Sequence, residues 1–81
     1  MTRSEAITNA IHTLTALVGR QKAGELVTDN IRFMAEKAGV TFEVALVAIV
    51  TADPGALRQF ETLVNLTVKA AHEVQAERAS A

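Results

Sequence analysis

Two histidines, two serines and one short basic run between glycines are the places where this chain of 81 residues could carry chemistry. An imidazole that ligates a metal needs further His, Cys or carboxylate ligands at helical or loop spacing. His12 instead stands among Thr8, Thr13 and Thr15, and His72 adjoins Glu73, which a helix turns about 100° away. Both read as surface or intersubunit histidines, and no metal or cofactor is expected. Ser4 and Ser80 have no base and orienting acid around them, so no hydrolase arrangement forms. Cysteine is absent, which removes thiolate nucleophiles, disulfides, iron–sulfur clusters and thiolate zinc sites. The expectation is a protein that is not an enzyme.

The basic run is Gly19-Arg20-Gln21-Lys22-Ala23-Gly24. It lacks both the spacing and the preceding strand of a phosphate loop, so it reads as a turn between helices. Arg20 and Lys22 still make a small anion-attracting corner beside a helix N-terminus. They are the candidates for contact with an anion or a phosphate-bearing small ligand, above all where an oligomer repeats the corner around a pocket.

A second motif is Ala35-Glu36-Lys37-Ala38-Gly39-Val40-Thr41-Phe42-Glu43-Val44, with an alanine, a glycine four residues on and a hydroxyl residue ready to cap the next helix. It resembles the turn of a helix-turn-helix, over less than a quarter of the chain. A DNA reader presents polar or basic side chains to base edges from the second helix, whereas Phe42, Val44, Leu46, Val47 and Ile49 offer none. That helix is expected to be buried. Eight basic and nine acidic residues are dispersed along the chain to a net charge of −1, which also disfavours a phosphate-neutralising surface. With Trp and Tyr absent, few groups remain to stack on bases or sugars. Nucleic acid is not an expected partner.

The elements that would position these residues are helices. Gly19, Gly39 and Asp53-Pro54-Gly55 cut the chain into four segments. Ala6, Ile7, Ala10, Ile11, Leu14, Leu17 and Val18 recur at helical spacing, with Thr2 and Glu5 placed for a capping box, so the first helix is predicted at about residues 3–18. Ala23, Leu26, Val27, Ile31, Met34 and Ala38 predict a second over about 22–38. The third segment, Phe42 to Val50, is apolar on every side and compatible with a buried helix or strand; Thr41 as N-cap favours a helix over about 42–52. Asp53 and Pro54 start a fourth helix over about 54–78, some 36 Å long against about 24 Å for the first, so that one end outruns its neighbours. The fold class is all-α, a four-helix bundle in a single domain spanning residues 1–81.

At 49% hydrophobic and 21% charged residues, the apolar content is high for a chain that buries only about 62% of its surface as a monomer. An oligomer is expected, a homodimer or larger. Leu57, Phe60, Val64, Leu66, Val68, Ala71 and Val74 on the fourth helix, part of them in a heptad-like seam, are the candidate interface. No apolar stretch approaches the ~20 residues of a membrane span, and Met-Thr-Arg-Ser-Glu lacks the pattern of a signal peptide, so a cytoplasmic location is expected. The functional expectation is a small protein-interaction module, an adaptor, regulator or inhibitor, of a composition typical of GC-rich bacteria and their phages. A helix-turn-helix regulator and an oligomer binding a phosphate-bearing ligand are the alternatives.

Overall fold

The computed structural model describes residues 1–80 and shows four helices, α1 (Arg3–Val18), α2 (Arg20–Ala38), α3 (Phe42–Val50) and α4 (Pro54–Ser80), with no strand among the described residues. The all-α expectation holds, and the ambiguous third segment is a helix. α2 starts two residues earlier than its periodicity suggested and α4 runs two residues further, while α3 stops at Val50.

The helix ends follow from local chemistry. Thr2 Oγ1 accepts from the Glu5 amide at 3.1 Å and donates to Glu5 Oε1, a variant of the capping box in which the carboxylate meets the hydroxyl. Gly19 alone links α1 to α2, with φ 90° and ψ 160°, a conformation essentially confined to glycine. α2 ends in a Schellman motif around left-handed Gly39, where the Val40 amide donates to Ala35 O and the Gly39 amide to Glu36 O. Thr41 Oγ1 caps α3 through the Val44 amide, and Asp53 Oδ2 caps α4 through the Ala56 amide at 3.0 Å. α3 ends in a second Schellman pattern, Asp53 amide to Ala48 O and Ala52 amide to Ile49 O, with Ala52 holding φ 61° where glycine is usual.

Two polar links set the register of α1 against α4. Arg3 Nε meets Glu61 Oε1 at 3.2 Å, and Gln75 Nε2 donates to Leu17 O at 2.8 Å. Both join residues 58 apart, so the two helices run parallel, and α4 passes the end of α1 by about one turn. α2 returns antiparallel: Asn30 Nδ2 donates to Thr67 Oγ1 at 3.2 Å, the Thr67 hydroxyl donates in turn to Leu63 O at 2.9 Å, and Ala23 packs near Ala71.

The core has two parts. Ile7, Ile31, Met34, Ala35, Ala45, Phe60 and Val64 form the larger, and Leu14, Ala23 and Ala71 the smaller, with Val27 and Val68 touching both. Leu14 and Val64 are completely inaccessible.

The molecule measures 41 × 28 × 18 Å with a radius of gyration of 13.2 Å, against about 11.7 Å for a globule of this length. Its surface is 5376 Å², where about 4,700 Å² is typical of this mass. The long axis is α4 itself, 27 residues or about 40 Å. No helix among the described residues is long and apolar enough to cross a membrane.

Candidate functional site

The candidate residues fall into three groups. Of the seven on α4, Phe60, Val64 and Ala71 lie in the chain's own core, and Leu57 and Val68 are half-buried against it. Phe60, Val64 and Ala71 are taken up by contacts within the chain, with α4 clasped by α1 on one side and α2 on the other. Leu66 and Val74 remain open to solvent, at 56% and 45% of their full exposure.

The second group is α3, where burial was expected and exposure is found. The helix docks through Ala45, with Phe42 and Ile49 packed against the larger core cluster. Its opposite side carries Val44, Leu46, Val47 and Val50, exposed by 38% to 75%, with Glu43 the one charged residue of the helix. Val40 continues this surface, sharing with Val44 a shallow depression that Met34 and Ala56 help to line. A solvated helix ordinarily carries charged and polar side chains on its outer face. Four branched apolar residues within seven positions make this face unlike a solvated one.

The third group is the corner at Gly19. Arg20 and Lys22 are both exposed, and Lys22 Nζ lies 3.9 Å from Glu25 Oε2. Lys22 also lines a groove of about 530 Å³ between the α1–α2 corner and the last three turns of α4. The structure thus brings Lys22 together with Ala71 and Val74, two of the seven α4 candidates, while Arg20 stays outside the groove. Leu17, Val18 and Leu26 complete its apolar walls, and Arg78 stands at its far end. Arg78 could have been found from its spacing, four residues beyond Val74 on the same face.

No convergence of cations appears on α2. Arg20, Lys22, Arg32 and Lys37 are spread around the helix; Arg32 Nη1 pairs with Asp29 Oδ1 at 3.1 Å, and Lys37 lies over the Phe33 ring at 5.8 Å. The face that a phosphate backbone would need is not assembled by these four residues. Exposure of α3 does remove the steric objection to a helix-turn-helix, but the chemical one stands, since the exposed side chains have no donors for base edges. His12 and His72 are exposed on different helices, and the described residues contain no cluster of three His, Asp or Glu side chains that could hold a metal ion. No protein-family model, curated protein or solved structure matches the chain.

Proposed function

We propose that this chain is a non-enzymatic protein-interaction module that works as a homo-oligomer, in the role of an adaptor, regulator or inhibitor. The observation that carries this reading is the outer face of α3, where Val44, Leu46, Val47 and Val50 face solvent together. The occupant is a second copy of the chain. The surface exceeds that of a typical monomer of this mass by about 700 Å², close to the ~800 Å² that each partner contributes to a standard interface. A twofold pairing would lay α3 against α3 and cover both faces at once, which a single self-complementary patch requires. Glu43 shares this side of α3 with Leu46 and Val47, one turn before them, so the pairing of two copies has to leave its carboxylate in water.

Sedimentation velocity at tens of micromolar is the direct test. The expected particle has at least twice the chain mass of 8.6 kDa. A particle of 8.6 kDa at that concentration overturns the reading.

A further inference from the structure

We infer that the groove between the α1–α2 corner and the distal part of α4 is a binding site for an amphiphile with one unbranched apolar chain and a terminal anionic group. The inference stands apart from self-association through α3, because the groove lies on different elements.

The floor and walls of the groove are Leu17, Val18, Leu26, Ala70, Ala71 and Val74. Small residues on α4 face larger aliphatic ones on α1 and α2, which leaves a slot where three helices fail to close. From Thr67 to Arg78 the slot is about 16 Å long. Its volume of about 530 Å³ lies within the range of small-ligand sites. A single extended apolar chain can lie along a slot of this length between these walls.

The charges are placed at one end. Leu17 is level with Gln75, so the turn at Gly19 lies beside the last turns of α4, and Lys22 and Arg78 stand at the same end of the slot. No carboxylate lines the groove itself, and Glu25 Oε2 stands beside Lys22 Nζ at 3.9 Å outside it. An anionic head at this end and an apolar tail running towards Thr67 satisfy both halves of the site. The opposite polarity, a cationic head, would meet two like charges.

The test is isothermal titration calorimetry with decanoate, dodecanoate and tetradecanoate below their micelle concentrations, at neutral pH. Saturable binding is expected, tightening by up to about fourfold per added methylene. Dodecanol and dodecyltrimethylammonium should bind at least tenfold more weakly than dodecanoate. Arg78→Gln should narrow the gap between dodecanoate and dodecanol, and Ala70→Trp, which fills the slot from an exposed helical position, should abolish binding while circular dichroism stays helical. Amide chemical-shift changes on adding dodecanoate should cluster at Leu17, Leu26 and Val74. Absence of saturable binding, indifference to head-group charge, or shifts confined to α3 would each overturn the proposal. So would capture of an acidic helical peptide in the slot when the carboxylates do not bind.

Discussion

Val47→Lys separates the two roles that the α3 segment could have. Were Val47 in a core, the lysine would be an unpaired buried charge, costing several kcal/mol of a total stability of about 5–10 kcal/mol. Val47 keeps 57% of its exposure, so the ammonium stays in water and the fold should change by no more than about 0.5 kcal/mol. Association should respond strongly. Covering the exposed part of one valine is worth about 1–1.5 kcal/mol, and a twofold interface loses that contribution twice. Two like charges brought together add about 1 kcal/mol. The total, about 3–4 kcal/mol, raises the dissociation constant by roughly 10²–10³-fold. Sedimentation over a concentration series reads the association. Thermal melts recorded below the dissociation constant of the unsubstituted chain read the fold, with an expected shift under about 4 °C. A loss of cooperative melting would show that α3 is buried within the chain. An unchanged dissociation constant would show that a second copy does not sit there, and a folded variant that gained salt-sensitive DNA binding would restore the helix-turn-helix alternative.

Three further substitutions probe the bundle. Leu14→Ala, at a fully inaccessible position, should cost about 3–4 kcal/mol, read as a lower urea midpoint at constant slope; a loss below about 1 kcal/mol would mean that the smaller cluster does not hold α1 to α4. Ala52→Gly should stabilise by about 0.5–1 kcal/mol, because it relieves a left-handed alanine at the end of α3, and a lower melting temperature would refute that account. Thr67→Val should cost about 1–2 kcal/mol by stripping Asn30 of its partner across α2 and α4, and adding Asn30→Leu should recover part of the loss in a double-mutant cycle.

The helix count and most of the caps were legible because their causes are local. Thr2, Thr41 and Asp53 act on amides three residues away, and Gly39 acts through its own φ. Side-chain accessibility on α3 was not legible. Phe42 to Val50 has no polar face, and composition alone cannot say whether neighbours reach round it; in the structure α2 and α4 cover only one side. The α4 repeat is ambiguous for a related reason. Leu57, Phe60, Val64, Val68 and Ala71 recur at the same spacing whether the surface they meet belongs to α1 and α2 or to another molecule. Lys22 carried a weak sign of a charged corner, but its approach to Val74 and Arg78 depends on the parallel register of α1 and α4, to which no local pattern points.

That parallel register also governs the order in which the chain can fold. The two helices with the most extensive contact are the first and the last, and the two polar links between them each span 58 residues. Bringing segments so far apart together costs about 4 kcal/mol in loop-closure entropy before any contact returns it. Until Phe60, Val64 and Ala71 are in place, the apolar faces of α1 and α2 are covered only in part, by each other and by α3, and a nascent chain of 53 residues is a pair of amphipathic helices plus one apolar one. Completion of the main interface therefore waits for α4, folding is expected to be slower than in a bundle whose consecutive helices form that interface, and a polypeptide interrupted before α4 leaves apolar helix faces open to whatever surrounds it.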